Sequence, residues 1–276
     1  MLGRAEGTAV GVRGTGEPGP ASRCSTARGD GPRRRTVVRP GGVAIWKLAL
    51  ALAGAAVTLV AAICWAGAAS ATPQATKAMR ASPARAVALW HMNERDGGLM
   101  RDAMRNHDGH LRSVREGVPG LTGSAYRFNG RSSYVSAPSA RDLNPNRRRI
   151  VLVMHLRTKG TPPRFHDWDL IRRGVFATQG GEYKMEYYGS GRASCGFNGS
   201  HDYAELVARP RLDDGHWHSI RCVKTRSRIK AIVDGRKFTK RVRIGKIANG
   251  ASVVIGARPG SDWYRGALDQ ASIKIG

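Results

Sequence analysis

From Ala84 onward the chain consists of short runs, four to eight residues long, in which apolar and polar side chains alternate and Gly, Pro, Asn or Asp closes each run. A period of two sends successive side chains to opposite faces of an extended backbone, so these runs can bury one face as strands but cannot form the apolar stripe of a helix. Tyr183, Met185 and Tyr187 fall on one face, while Lys184, Glu186 and Tyr188 fall on the other. Ile229, Ala231 and Val233 alternate in the same way with Arg228 and Lys230, and that run stops at Asp234-Gly235. Asp-Gly readily takes positive φ at both central positions of a two-residue hairpin, so 228–233 and 236–240 are predicted to pair antiparallel. With 183–188, the other predicted strands are 86–91, 125–128, 134–136, 150–156, 169–173, 192–198, 216–224, 251–255 and 267–275. Many short strands with regular turn signals indicate an all-β, two-sheet antiparallel sandwich. No repeat of 20–50 residues is present, which argues against a propeller or a solenoid.

The sequence ahead of these runs changes character twice. Residues 1–42 are rich in Gly, Arg, Pro, Ser and Thr, without apolar periodicity. Such a segment cannot bury enough surface to offset chain entropy and is expected to be disordered. Residues 43–71 hold an uncharged apolar run, Leu48 to Ala71, just after Lys47 and the arginines Arg33, Arg34, Arg35 and Arg39. This is expected to be a helical export signal or membrane anchor, and the basic residues before it would hold the N-terminus in the cytoplasm and place the chain beyond Ala71 outside. Ala69-Ser70-Ala71 followed by Thr72-Pro73 has the small-x-small pattern of a signal-peptidase site and favours cleavage after Ala71. The length of the apolar core, Leu48 to Trp65, approaches the ~20 residues that span a bilayer and favours a retained anchor. The lead is long for a signal n-region, and translation from Val43 would leave an ordinary one. Residues 72–83 read as a linker, with 84–276 as the folded, exported domain.

Charge bears on the partner. The chain carries 46 Lys+Arg against 20 Asp+Glu, a net +26. That imbalance speeds encounter with an acidic surface such as an anionic glycan, a wall polymer or a membrane, while an exported domain is not expected to meet nucleic acid. Between Arg221 and Lys246 eleven basic residues face one acid, Asp234. Arg228, Lys230 and Lys237, then after a break in parity Lys240, Arg241 and Arg243, are predicted to form one positive ridge whose binding would be salt-dependent; a solvated outer sheet would use the same residues. Of the four cysteines, Cys24 and Cys64 precede the domain. Cys195 and Cys222 remain, and in an oxidising compartment they read as a disulfide, expected between neighbouring antiparallel strands.

The order of motifs also resembles a known family. The pieces are Ala88-Leu89-Trp90-His91-Met92-Asn93-Glu94, Gly123-Ser124-Ala125-Tyr126-Arg127-Phe128-Asn129-Gly130, Asp214-Gly215-His216-Trp217-His218-Ser219-Ile220, Val233-Asp234-Gly235 and Tyr264-Arg265-Gly266-Ala267-Leu268-Asp269. In this order, over nearly all of 84–276, they are similar to laminin-G-like, concanavalin A-like jelly rolls, in particular exported bacterial members with a two-cysteine bridge. The resemblance implies core positions for Trp90, Trp217 and Tyr264, and a tight turn at Asn129-Gly130. It also implies a non-catalytic module, exported or membrane-anchored, that recognises carbohydrate or a matrix polymer. The alternatives are a polyanion-adhesion domain, a purely structural surface domain, or a glycoside hydrolase of the same fold.

Glucanase relatives carry their acids on one strand as Glu-x-Asp-x-x-Glu, and a glycosidase needs two carboxyls about 5–10 Å apart. Here Glu182 and Glu186 share a face, but Lys184 stands between them, so no catalytic residue is assigned. Sugar sites set aromatics beside carboxylates or amides at loop tips, and the candidates are His166, Trp168 and Asp169, and Asp262 with Trp263. Oligomeric state is not legible. Many domains of this family hold calcium between their first and last strands. The resemblance implies such an ion between Asp269 and the turn carrying Glu94, with Asn93 and Asp96 beside it, and no other cofactor.

Overall fold

The computed structural model describes residues 83–258 and 260–276. The expected disordered lead, the signal or anchor and nearly all of the linker lie outside the described residues. In chain order the strands are β1 Arg85–Trp90, β2 Leu99–Met100, β3 Gly109–Arg112, β4 Arg115–Pro119, β5 Ser124–Asn129, β6 Tyr134–Ala137, β7 Ile150–Arg157 and β8 Asp167–Arg173. They continue as β9 Glu182–Tyr188, β10 Ala193–Asn198, β11 Tyr203–Val207, β12 His218–Lys224, β13 Arg228–Val233, β14 Arg236–Arg241, β15 Val253–Ile255 and β16 Arg265–Ile275. The strands pair antiparallel throughout. The first sheet runs β14-β13-β12-β7-β16-β5-β4, with β1 also on β16, and the second runs β11-β10-β9-β8-β15-β6-β3-β2.

Period-two alternation explains how the sheets face each other. Ile150, Leu152, Met154 and Leu156 of β7 point inward from the first sheet, and Tyr183, Met185 and Tyr187 of β9 point inward from the second; all are fully buried. Each such side chain contributes about 1.5–3 kcal/mol of apolar burial. Asp234 and Gly235 have φ of 46° and 79°, and the predicted β13–β14 hairpin forms with Val233 opposite Arg236. At Gly256, φ is 84° and a Cβ would sit 2.2 Å from the Phe128 ring, so the turn after β15 admits no side chain. The strands β2, β3, β4 and β11 were not predicted. The first three are short or interrupted by Gly and Pro, and β11 is a partly exposed edge.

Two expectations about the core need correction. Cys195 and Cys222 are bonded, with Cα atoms 5.4 Å apart, but β10 belongs to the second sheet and β12 to the first. The bridge crosses the core between two inward faces and does not join neighbouring strands. Trp90 and Tyr264 are fully buried, as expected, whereas Trp217 is only half-buried, with the Arg157 guanidinium 4.8 Å from its ring centre. Trp217 stands one residue before β12, where the sheet no longer covers it.

Candidate functional site

Strand register builds a single row across the outer face of the second sheet. His110 lies opposite Ser136, Ser136 opposite Val254, and Val254 opposite Arg172. Arg172 then faces Lys184, Lys184 faces Gly196, and Gly196 faces Glu205. At Gly196 a Cβ would meet Lys184 Cε at 2.7 Å, so this glycine leaves room for the lysine chain to lie across the sheet.

A bulge adds a fourth acid, Asp169, to Glu182, Glu186 and Glu205 on this face. Between Asp169 and Ile171 the β8–β9 register shifts, so Asp169 faces Glu186 and Arg172 faces Lys184 on the same side. An extra residue on one strand reverses facing parity beyond it. Arg172 Nη1 donates to Asp169 Oδ2 at 2.6 Å and Nη2 to Glu182 Oε2 at 2.9 Å, while Lys184 Nζ donates to Glu186 Oε1 at 2.6 Å. Glu205 accepts hydroxyls from Ser194, Tyr188 and Tyr203.

Four carboxyls and two cations thus share a floor in which Asp169, Glu182, Glu186 and Arg172 are buried and Lys184 and Glu205 are half-buried. Burial, more than any neighbour, raises Asp169 and Glu186 above the usual carboxylate range, and Arg172 and Lys184 offset it only in part. Burial also pushes Glu205 up, but the hydroxyls of Ser194, Tyr188 and Tyr203 together with Lys184 outweigh it and hold Glu205 low. Asp169 Oδ1 and Glu182 Oε1 are buried with no protein partner.

Beside this floor opens a cavity of about 610 Å³, lined by Arg112, Tyr134, Ser136, Arg172, Thr178 and Trp263 among others. Tyr134 stands directly across from Arg112 in the β3–β6 pair, and its ring centre lies 5.9 Å from that of Trp263. The β8–β9 loop that supplies Thr178 also carries Phe176, two-thirds exposed, edge-on to Tyr203 at 5.3 Å. The arrangement offers an aromatic wall, a fixed guanidinium and hydroxyls, the complement of a polyhydroxylated ring.

The predicted sugar-site residues separate. Trp263 lines this cavity, and Asp262 beside it is held by Arg258 Nε at 3.0 Å. Trp168 is half-buried, stacked on Tyr187 at 5.9 Å and edge-on to Tyr264, and it borders a different cavity with Arg127 and Arg157. Asp169 is not a loop-tip ligand, because the bulge seals it under Arg172. His166 is exposed on the loop before β8 and lines neither cavity. Sequence reasoning missed Tyr134, Arg112 and Phe176. Tyr134 alternates with Val135, which was signal enough to place its ring outside.

Of the predicted ridge, Arg228, Lys230, Lys237 and Arg241 share the outer face of the first sheet, with Arg228 directly opposite Arg241. Lys240 pairs with inward-facing Ile229 and so has the opposite parity, and Arg243 follows β14 into a separate cavity.

The implied calcium needs six to eight oxygens. Glu94 accepts the Arg101 N–H at 3.0 Å and the Tyr126 hydroxyl at 2.5 Å, which engages both its oxygens. Asp269 Oδ2 accepts the Leu121 N–H at 2.8 Å, leaving only Oδ1 unpartnered. Among the described residues no group of three or more His, Cys, Asp or Glu is placed to hold a metal.

Residues 129–274, more than half of the chain, match the family model of the Concanavalin A-like lectin/glucanases superfamily. No curated protein matches in sequence. The binding domain of Paraclostridial Mosquitocidal Protein 1 aligns with TM-score 0.57 at 13% identity, over 69% of this chain and 48% of that one. The chain therefore spans about half that domain's length. Domain 4 of AbnA, a GH43 extracellular arabinanase from Geobacillus stearothermophilus in complex with arabinotriose, aligns with TM-score 0.53 at 15% identity, over 70% of this chain and 93% of that one. Trypanosoma rangeli sialidase in complex with sialic acid aligns with TM-score 0.50 at 15% identity, over 68% and 30%. At these identities the likeness is one of fold.

Proposed function

Because the chain belongs to the Concanavalin A-like lectin/glucanases superfamily, we propose that it is a carbohydrate-binding module acting outside the cell, with its ligand in the Tyr134–Trp263 cavity. The observation that carries this reading is the aromatic pair set beside Arg172, whose guanidinium is aimed by two buried carboxylates. Sugar rings stack their apolar faces on aromatics and present hydroxyls to fixed polar groups, and Arg112, Ser136 and Thr178 stand within the same lining. The arabinotriose named with the arabinanase domain supports a saccharide through shared architecture alone. Binding is favoured over hydrolysis because Asp169, Glu182 and Glu186 are engaged with Arg172 and Lys184 beneath the surface, where none is free to flank a glycosidic bond. The inter-sheet disulfide and the basic-then-apolar lead support an exported location. A glycan array probed with the wild-type protein and Trp263→Ala tests the reading: signals should appear for the wild type and vanish in the variant, and an array without signals for the wild type would end it.

A second reading, adhesion to a polyanion, draws on the first sheet. Arg228 opposes Arg241, and Arg115 opposes Arg127. Like charges directly opposite on neighbouring strands destabilise a sheet, and an anionic partner would relieve them.

A further inference from the structure

Lys224 is the last inward-facing residue of β12, after Ile220 and Cys222, and only 1% of it is exposed. Its stem closes the core, and Nζ donates to the carbonyls of Asn146 at 3.4 Å and Arg148 at 3.2 Å. An ammonium has three donors, so one remains. Among the described residues no carboxylate offsets the charge, and burial alone acts on the group, pushing it down to about 8. A buried cation without a counter-charge is costly.

Around this lysine lies a cavity of about 450 Å³ lined by Arg147, Arg148, Arg226 and Arg243, with His201 and Thr225, and no acid. The arginines come from the loop before β7, the β12–β13 turn and the segment after β14, and backbone hydrogen bonds fix these pieces. Asn146 and Ile247 exchange N–H and carbonyl at 2.9 and 3.0 Å, the Val242 N–H reaches the Ser227 carbonyl at 3.1 Å, and the His201 N–H reaches the Ile244 carbonyl at 3.1 Å. Held together on a firm frame, these cations repel one another until an anion enters.

We propose that this cavity binds a tetrahedral oxyanion, a phosphate or sulfate group, through Lys224 and the four arginines. Guanidinium forks match such oxygens two at a time, and Lys224 adds a point charge at the base. The cavity shares no lining residue with the Tyr134–Trp263 cavity, so the inference stands whether or not a saccharide binds there.

The test is an NMR titration of the full chain in detergent with sodium phosphate and, separately, sodium sulfate, against sodium chloride at equal ionic strength. Saturable shifts of arginine Nε signals with either ion are expected, and whichever ion saturates at lower concentration identifies the source. Arg226→Gln/Arg243→Gln, exposed positions whose loss should leave the fold intact, should weaken binding at least tenfold, as should Lys224→Met. Arg228→Gln/Arg241→Gln removes the same charge elsewhere and should change it less than twofold. Equal weakening by the two double variants, or no saturation beyond chloride, would overturn the proposal.

Discussion

Arg172 Nη1 lies 2.6 Å from Asp169 Oδ2, and both groups are closed to solvent. The same guanidinium holds Glu182 through its other nitrogen. Removing one partner of a buried ion pair strands the remaining charge. Arg172→Met is therefore expected to destabilise the protein by about 3–5 kcal/mol, measured by urea denaturation. Adding Asp169→Leu and Glu182→Leu should recover much of that loss, and no recovery would mean that the arginine acts by packing.

The Cys195–Cys222 bond spans 27 residues and ties one sheet to the other. In the chain-entropy picture a loop of this size is worth about 3–4 kcal/mol. Cys195→Ser/Cys222→Ser should lose roughly that much in denaturant unfolding, and a loss well below it would show that the core alone holds the sheets.

His218 places Nδ1 2.8 Å from Asp234 and Nε2 2.9 Å from Asp214. Burial alone would lower its pKa, but the two carboxylates outweigh burial and raise it. A raised histidine stabilises the fold fully below its unfolded pKa, about 6.5, and that contribution fades as pH climbs through the folded value. The wild type should exceed His218→Gln in stability by more at pH 5.5 than at pH 8.5. Both carboxylates are substantially exposed, so the gap will be modest. A gap that stays constant with pH would remove the imidazolium from the account.

The facing arginines of β13 and β14 give the adhesion reading its own test. Retention on heparin should fall steeply with added salt, and Arg228→Gln/Arg241→Gln should elute earlier. Retention unaffected by salt would exclude an electrostatic ridge.

The sandwich was legible because period two survives in most strands and Asp234-Gly235 names its own hairpin. The site was less so. Strict alternation sets Asp169 and Arg172 on opposite faces, and only the bulge, which depends on how β8 meets β9, brings them together. Trp168 and Trp263 looked equivalent as tryptophans beside acids, yet Trp168 packs against Tyr187 and Tyr264 while Trp263 reaches an open cavity through the loop after β15. The disulfide partners could be read from the sequence but not their sheets, since pairing order across the core has no local signature.

A saccharide in the proposed site stacks on Tyr134 and Trp263. The six tryptophans give separate indole N–H signals in an NMR spectrum, so a titration with a saccharide drawn from the array reports which one meets the ligand. The Trp263 signal should move, those of Trp90, Trp168 and Trp217 should stay, and Trp263→Ala should weaken binding at least tenfold, about 1.4 kcal/mol. Movement confined to Trp168, or undiminished affinity in Trp263→Ala, would place the saccharide elsewhere.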